Sequence, residues 1–545
     1  MDTVRQKTGL SLFVLGLGLF MALLDATVVN IGVPAIMEDF KADVSRVSWV
    51  LNAYTLTLAV VLITMGRLAD QCGRKRLYLI GLMIFTGFSL LCGLSWDISS
   101  LIAFRAFQGV GAAILLSVSL AMVMTLFPPE RRGTAIGIWA AIGVTAAAVG
   151  PTLGGLLVEY LSWHWIFFIN LPVGILALLL GWMILAESKD PSAPRQVDFV
   201  GVLTLSISAF SLVLALMEGQ DNGWNSTYIV SLFAVAAVFF VGFVAVEGRQ
   251  AHPMVDLRLF RSAAFAGSWL TLLMVGFGMM GAIFLLVIFM VNVMGYSELR
   301  AAIAVTPIPA TSLIVAPITG RLCDRIGSRI PAMLAVVCLG LGLYLLSQLG
   351  ADSKWADVAW RAVISGVGLG LGNAALIVGA MSAVAPEKAG VASGVINMAR
   401  QLGFVFGIAI CVALYSGALP GQLSDARQEA AALISADQQM PQPVKEKVLA
   451  GVAHIGEQQG SQSAPDLAAM ADEMGPQAAS LRPHLEEVSN QLTSIVRSHV
   501  ASAFEDAFVV AAIAVAFGIA PALFIRRSGP GALESKATRT PSART

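Results

Sequence analysis

Charged residues are scarce in this chain. Of its 545 residues, 12% are charged and 57% are hydrophobic, whereas an ordinary soluble domain has about 25% charged residues. This composition excludes most soluble folds and predicts a helical protein that crosses a membrane many times. The formal net charge is zero, which argues against a nucleic-acid partner because such partners favour a basic surface.

Cysteine and histidine are also rare, with five of each. The cysteines follow no spacing that indicates disulfides or zinc, and the histidines are scattered along the chain. We therefore expect no disulfide framework, no metal site and no resident cofactor. The sequence also lacks a phosphate-binding loop, an HExxH zinc motif and a nucleophile elbow, so we do not expect an enzyme.

Long apolar runs, in contrast, are abundant. Each is near the ~20 residues that a helix needs to cross a bilayer. The first is too long for the apolar part of a signal peptide, and no small-residue cleavage site follows it, so we expect it to remain as a helix. Fourteen spans are predicted, at 9–31, 47–69, 77–97, 100–125, 134–157, 166–187, 199–217, 228–247, 264–291, 300–320, 330–349, 357–383, 391–417 and 504–526.

Arginine and lysine are unevenly distributed over the loops between these spans. Loops that follow even-numbered spans are the richer, with Arg74, Arg76 and Arg131 among their basic residues. Basic loops remain in the cytoplasm, so both termini are expected there, in an inner (plasma) membrane. The polar segment 418–503 would then lie on the outer side. Its composition fits either short helices folded over that face or a solvated spacer.

Three ionisable residues are predicted to lie deep in the membrane: Asp25 in span 1, Arg105 in span 4 and Arg400 in span 13. Such residues are costly in a bilayer and are therefore candidates for function. Asp25 is a candidate for gaining and losing a proton near physiological pH, and Arg105 is a candidate for a fixed charge whose contacts change with that proton. The alternative for Asp25 is a carboxylate that only joins helices. The sequence does not show whether Asp25 and Arg105 touch.

A short motif occurs twice, each time where an apolar run ends and a basic loop begins. A membrane protein built from two parallel repeats has the same loop in each half, on the same side. The first copy ends in Arg74, where the second has Ser328, so the charge network of the second copy is expected to be weaker. The candidate gate residues are Gly66, Arg67, Asp70, Gly73 and Arg74 in the first copy and Gly320, Arg321, Asp324 and Gly327 in the second.

Small residues and a proline cluster in span 5. Small residues allow helices to approach closely, and proline removes one backbone hydrogen bond. This pattern fits a helix that bends or rocks, although close packing without movement is the alternative. The residues are Gly143, Gly150, Pro151, Gly154 and Gly155.

Together these motifs resemble the major facilitator superfamily, in particular its fourteen-helix drug–proton antiporter branch. The repeated loop resembles the superfamily's signature between helices 2 and 3. Four further segments resemble motifs of the branch in helices 1, 4 and 5 and at the entry to helix 6: Leu24–Pro34, Arg105–Gly111, Gly150–Gly155 and Trp163–Pro172.

The resemblance implies the major facilitator fold, in which two six-helix bundles alternate access and two additional helices lie between them. It also implies that Asp70 pairs at the cytoplasmic interface with the start of span 13, near Lys388–Val391. The expected parts are an N-terminal six-helix bundle (1–190), two additional transmembrane helices and linkers (191–260), the first five helices of the C-terminal bundle (261–417), a long, partly helical outer loop (418–503), the last transmembrane helix (504–527) and a disordered cytoplasmic tail (528–545).

The function implied is a proton-coupled antiporter that exports amphipathic, lipophilic or cationic drugs across the lipid bilayer, with the proton as coupling ion. Export of a specific metabolite, antibiotic or lipid on the same fold is the alternative, and a non-transporting receptor or scaffold is a remote one. Whether a periplasmic adaptor takes part is open. The candidate polar contacts to substrate are Asn30, Asn292, Asn373 and Arg400.

Overall fold

The computed structural model of this protein describes residues 2–42, 44–189, 198–250, 253, 255–453 and 482–525. Within these ranges the chain forms helices joined by short loops, and no residue is in a β-strand. The helices are α1 (Asp2–Phe40), α2 (Val44–Cys72), α3 (Arg74–Gly93), α4 (Ile98–Leu126), α5 (Arg132–Tyr160), α6 (Trp165–Phe168), α7 (Asn170–Ile184), α8 (Phe199–Asn222), α9 (Thr227–Glu247), α10 (Ala263–Asn292), α11 (Glu298–Ala304), α12 (Pro307–Ile326), α13 (Arg329–Ser347), α14 (Trp355–Met381), α15 (Ala389–Ala436), α16 (Gln442–Ala453), α17 (Arg482–Phe517) and α18 (Ile519–Ala522).

The described residues include 13 helical segments that are long and apolar enough to cross a membrane. Helix α9 shows why lipid must surround them, because it buries few of its side chains against protein. Val238 and Val241 of this helix are 67% and 66% exposed. A stripe of this kind is costly in water and stable against lipid tails. The chain is therefore a multi-pass membrane protein.

Two predicted spans are divided in the structure. The span predicted at 300–320 consists of α11 and α12, and α12 begins at Pro307, which has no N–H to donate to the preceding turn. Arg321 and Asp324 in the last turns lower the apolar character of α12, so it is not among the 13 segments. The span predicted at 166–187 is divided in the same way into α6 and α7.

The helices pack as two groups, which contact each other through two pairs of helices. In the first group α1 packs against α4, α5 and α7; in the second α10 packs against α14, α15 and α17. The groups meet where α2 packs on α15 and α5 packs on α12, and the two motif copies lie on α2 and α12. Helices α8 and α9 pack on each other at the flank, where α8 also contacts α2 and α15. Each motif copy is therefore placed against the opposite group.

Helix α15 continues well beyond the predicted end of its span. It has 48 residues, which at 1.5 Å per residue is roughly 70 Å, more than twice the ~30 Å hydrocarbon core. Helix α17 is similarly long, with 36 residues. Both helices thus continue past the predicted span boundaries at 417 and 504, because residues that favour helix extend them into the polar region.

The parts of α15 and α17 beyond those boundaries, together with α16, form what we call the far-end extension. Its described residues have an apolar core of their own. Val448 of α16 and Leu485 and Leu492 of α17 are fully buried, as are Ala430 and Ile434 of α15. The expectation of a solvated spacer is wrong for these residues. The rest of the predicted outer loop, residues 454–481, and the predicted disordered tail, 528–545, lie outside the described residues.

Two histidines join α15 to α17 in the far-end extension. His484 lies 2.6 Å from Asp437, and His499 lies 2.9 Å from Glu429. Burial raises the pKa of Asp437, but the hydrogen bond and charge of His484 and the backbone N–H groups of Gln439 and Met440 together hold that pKa below its usual range. The ionised carboxylate is therefore favoured at neutral pH, and the pair connects the end of α15 to the first turn of α17.

We expect the membrane part to fold without the far-end extension. Replacing residues 422–498 with a short flexible linker leaves the stacked rings of Tyr415 and Phe504, whose centroids are 4.2 Å apart, to hold α15 against α17. A linker of this kind costs little closure entropy. Size-exclusion chromatography and thermal unfolding in detergent would measure the result. If the deletion variant aggregated while the intact protein remained monodisperse, the membrane part would depend on the far-end extension to fold, and the expectation would be wrong.

Candidate transport site: a buried ion pair and two latches

Asp25 lies at the centre of a buried polar cluster in the first group of helices. It is fully buried in α1, and Arg105 and Gln108 of α4 and Asn170 of α7 surround its carboxylate. Arg105 Nη1 forms an ion pair with Asp25 Oδ2. Gln108 Nε2 and Asn170 Nδ2 donate to Asp25 Oδ1 at 3.0 and 3.1 Å. The structure thus brings together the two residues predicted for proton coupling.

The Gln108 amide links Arg105 to Asp25. Arg105 Nη1 also donates to Gln108 Oε1 at 2.9 Å, so the amide NH₂ of Gln108 must point towards Asp25. Asn170 donates to Ser89 Oγ at 3.0 Å as well as to Asp25. Both oxygens of Asp25 therefore accept from N–H donors. Donors on α4 and α7 thus hold the carboxylate in place between the two helices.

Arg105 joins three helices through one guanidinium group. Its Nε donates to the backbone oxygen of Val50 at 3.0 Å, and its Cζ lies 4.2 Å from the centre of the Tyr54 ring. The Tyr54 hydroxyl in turn donates to the backbone oxygen of Ala22 at 2.7 Å. Arg105 and Tyr54 thereby connect α1, α2 and α4 around Asp25.

The sequence analysis did not single out Gln108, Asn170 or Ser89 as members of this cluster. Gln108 lies three residues after Arg105, so the two share one face of α4. Asn170 is the first residue of α7, just after the break in the predicted span. A polar residue at a helix break in an apolar run was the available signal, because a break places side chains and backbone groups inside the protein.

The glycines of span 5 pack against the segment of α1 that contains Asp25. A Cβ atom on Gly143 would lie 2.9 Å from Leu23, and one on Gly154 would lie 2.8 Å from the backbone oxygen of Val28. Gly150 faces Thr27 just as closely. Pro151 lies within α5 beside them, and Gly155 is half-buried. Any movement of α5 along α1 therefore acts on the helix of Asp25.

The first motif copy bonds to the second group of helices, and we call this contact the first latch. Asp70 accepts hydrogen bonds from the backbone N–H groups of Gly390 and Val391, both at 3.0 Å. These residues begin α15, where free N–H groups and the helix dipole favour an anion. Arg74 Nη2 bonds to Asp70 at 2.7 Å and to the backbone oxygen of Glu387 at 2.9 Å. The expected partner region of Asp70, Lys388–Val391, is the one observed.

The second motif copy forms the corresponding latch on the first group. Asp324 accepts from the backbone N–H groups of Gly133 and Thr134, both at 2.8 Å, at the start of α5. The Thr134 hydroxyl adds a third hydrogen bond at 2.6 Å. We expected a weaker charge network here, and no arginine pairs with Asp324 among the described residues. The Thr134 hydroxyl is a contact that sequence reasoning missed.

The glycines of the two motif copies have matching roles. Gly66 faces the backbone oxygen of Gly390, and Gly320 faces that of Gly133, at distances that leave no room for a side chain. Gly73 and Gly327 follow with φ of 108° and 82°, a region that favours glycine. Arg67 is half-buried and Arg321 is exposed, and neither bonds to a residue within the described ranges.

The structure separates the predicted substrate contacts. Asn30 is exposed and donates to the backbone of its own helix. Asn292 is the last residue of α10, whereas Gly276 of the same helix faces the backbone of Arg400. At 1.5 Å per residue, Asn292 lies about 24 Å along the helix from that level. Asn373 is buried in α14, and its neighbour Gly372 faces Val275, so Asn373 lies near the level of Arg400.

Comparisons with known proteins agree with this architecture. Residues 15–408 match the family model described as Major Facilitator Superfamily. Multidrug resistance protein Stp of Mycobacterium tuberculosis is 37% identical over 82% of this chain and 83% of its own length. The Tetracenomycin C resistance and export protein of Streptomyces glaucescens is 33% identical over 75% of this chain and 76% of its own.

A solved structure supports the fold. Human organic anion transporter MFSD10 superposes with a TM-score of 0.55 over 75% of this chain and 94% of its own, at 17% identity. An identity this low bears on the fold alone. The family match over most of the chain, the relatives and the two symmetrically placed latches lead to one conclusion. The chain belongs to the major facilitator superfamily.

Proposed function

We propose that this protein is a proton-coupled antiporter that exports amphipathic small molecules by alternating access, and that Asp25 binds the coupling proton. The observation that carries the proposal is the buried carboxylate of Asp25, which has three N–H donors, one of them its arginine partner. An ionisable group inside the membrane is energetically costly, so its presence there indicates a function. Two relatives at 33% identity or more are named for multidrug resistance or for resistance and export. We infer a transporter without enzymatic activity or resident cofactor.

We propose that this conformation is the one closed at the latch end. Asp70 and Asp324 each bridge the two groups of helices there, so both latches must break before that end opens. A proton on Asp25 would weaken its ion pair with Arg105 and loosen α1 from α4. Protonation would then favour the other conformation, because a ligand shifts an equilibrium by its difference in affinity for the two states.

We place the latch end in the cytoplasm, together with both termini, and the far-end extension on the outer side of the inner (plasma) membrane. The basic residues of the loops support this orientation, since Arg74, Arg76 and Arg131 all lie at the latch end. Two additional helices, α8 and α9, at the flank of the two groups support the fourteen-helix branch. Protons moving inward would then drive export.

Export of one specific antibiotic or other metabolite is the second candidate, and the tetracenomycin relative favours it. The two candidates differ in selectivity, because a specific site rejects close analogues that lack a bonding group. A panel of unrelated amphipathic compounds and close analogues would separate them.

The test uses proteoliposomes with an imposed proton gradient and a pH-sensitive dye inside. Addition of an exported compound should release protons, whereas protein-free liposomes give the background leak. Saturable proton release with several unrelated compounds would support multidrug export, and release with a single compound class would favour the specific exporter. No compound-dependent proton movement across the panel would contradict proton-coupled export.

Arg105→Lys is expected to lose at least about 90% of transport, the order expected when one buried charge-assisted hydrogen bond is lost. An ammonium cannot serve Val50, Gln108 and Asp25 at once in the planar arrangement that the guanidinium provides. Thermal unfolding should change less than transport does, since Lys keeps the positive charge beside Asp25. Initial rates in the same proteoliposomes would measure this. Wild-type rates for Arg105→Lys would mean that only the charge of Arg105 matters.

A further inference from the structure

Arg400 is a buried arginine whose hydrogen bonds are incomplete. It lies in α15 with 9% of its surface exposed. Its Nη2 donates to Asn397 Oδ1 at 2.7 Å, one turn earlier on the same helix. Its Nε is buried and has no hydrogen-bond partner among the described residues. Arg105, at a similar burial, has its Nε bonded to a backbone oxygen and a carboxylate on Nη1. The two deep arginines therefore differ in what balances their charge.

Among the described residues of α2, α4, α5, α10 and α14, no carboxylate is placed to balance Arg400. Helices α4 and α10, which pack on α15, contain no acidic residue. The one acidic residue of α2 is Asp70, which bonds at Gly390 and Val391. That position is about ten residues, or roughly 15 Å, along α15 from Arg400. The acidic residues of α5 and α14, Glu159 and Asp357, lie near the far end of their helices.

Arg400 lies where the two groups of helices face each other. Its Cζ is 5.9 Å from the centre of the Trp139 ring of α5, which belongs to the opposite group. Trp139 is held in place by its Nε1, which donates to Ser119 Oγ at 3.1 Å. An aromatic face attracts a cation but replaces only part of the solvation that a buried guanidinium has lost. The incomplete hydrogen bonding is thus located on the surface that alternating access exposes.

We propose that Arg400, oriented by Asn397, binds an anionic group of the exported substrate, a carboxylate or a phenolate. The inference rests on the proposed export function and names the charge of the cargo. A guanidinium with a free Nε and further free N–H groups matches an anionic oxygen pair in geometry and in charge. The same charge disfavours a cationic substrate at this position. Among amphipathic compounds, the proposal therefore favours those that have an acidic group.

Asn397 fixes the direction of the guanidinium. Its side-chain amide donates to the backbone oxygen of Ser393 at 3.0 Å, which leaves its Oδ1 to accept from Arg400. One N–H group of Arg400 is thereby held along its own helix, and the remaining N–H groups are left for a ligand. Preorganisation of this kind reduces the ordering cost of binding.

The test compares two dyes of the same xanthene scaffold, anionic carboxyfluorescein and cationic rhodamine 123, by fluorescence anisotropy on the purified full-length protein in lipid nanodiscs. The wild type should bind carboxyfluorescein more tightly than rhodamine 123. Arg400→Gln should weaken carboxyfluorescein binding by roughly 30-fold or more, the loss expected when one partner of a buried charge pair is removed. The carboxyfluorescein affinity of Arg400→Lys should lie between those of the wild type and Arg400→Gln. Rhodamine 123 binding should stay the same or tighten in Arg400→Gln.

The matched control is Arg300→Gln, which removes an exposed arginine that stacks on Tyr296 at 4.1 Å. It should leave carboxyfluorescein binding unchanged. Wild-type protein that fails to bind carboxyfluorescein, or that prefers rhodamine 123, would overturn the anion site without requiring any variant to fold. A folded Arg400→Gln protein with wild-type carboxyfluorescein affinity would do the same. Proton release with neutral compounds in proteoliposomes would still stand in either case, so export and anion recognition are tested separately.

Discussion

Asp25→Asn is expected to abolish proton-coupled export. Asparagine has nearly the same shape, but its NH₂ group would face the N–H donors of Arg105, Gln108 or Asn170 whichever way the amide is turned. The variant also cannot bind and release a proton. Transport driven by a proton gradient should fall to the level of protein-free liposomes, while exchange of labelled substrate without a gradient should persist.

A loss of stability must be separated from a loss of coupling in this variant. Removing Asp25 leaves Arg105 buried without its counter-ion, which typically costs about 3–5 kcal/mol. The double variant Asp25→Asn with Arg105→Gln removes both charges and should regain much of that stability without regaining transport. Thermal unfolding in detergent would measure the first quantity, and proteoliposome rates the second.

Glu159→Gln is the matched control for Asp25→Asn, because Glu159 is an exposed carboxylate at the end of α5. It should retain wild-type coupling. If Asp25→Asn still released protons on addition of substrate at normal rates, Asp25 would serve only to join helices. The coupling site would then have to lie elsewhere in the chain.

The sequence predicts which helices cross the membrane better than it predicts how they face each other. Apolar runs identify a span, but the rotation of each helix about its axis depends on contacts with other helices. The bond between Gln108 and Asp25 joins residues 83 positions apart, and that between Asn170 and Asp25 joins residues 145 apart. Only folding brings these residues together. The sequence therefore showed the motifs that contain them but did not predict that they form one cluster.

The two latches show the same division between local and long-range information. The repeated motif predicted that Asp70 and Asp324 would act in the same way, because equal sequences form equal turns. The partner of Asp324 was not predictable from the motif, since Thr134 lies in the first turn of α5, 190 residues away. The length of the helices in the far-end extension was not predicted, for another reason. A bilayer criterion stops at the first polar residues, whereas α15 continues as a helix beyond them.

Loss of both latches is expected to shift the protein to the conformation open at the latch end. Asp70→Asn and Asp324→Asn each place an amide against two backbone N–H groups, and losing hydrogen bonds to a charged group costs about 1.5–3 kcal/mol. Each single variant should therefore shift the equilibrium by roughly 10-fold to 150-fold. The latches share no partners, so their effects should add in the double variant.

Spin-label distances measure this shift directly. One label is attached at Cys72, which is exposed at the end of α2, and another at Glu387→Cys before α15, with the other four cysteines replaced by alanine. The double variant should show a longer distance as its main population. Asp352→Asn, an exposed acid in the loop between α13 and α14, should leave the distribution unchanged.

Loss of the first latch should shift the conformational equilibrium further than loss of the second. Arg74 adds an ion pair to Asp70, whereas Ser328 takes that place in the second copy, so Asp70→Asn should shift the distances further than Asp324→Asn. In a background with both Arg74→Gln and Thr134→Val the two effects should become about equal, because each carboxylate then retains only its two backbone N–H partners. An unchanged distance distribution in the double variant would refute the latches. A larger effect of Asp324→Asn would show that the Thr134 hydroxyl outweighs the arginine, because both aspartates otherwise accept the same two backbone bonds.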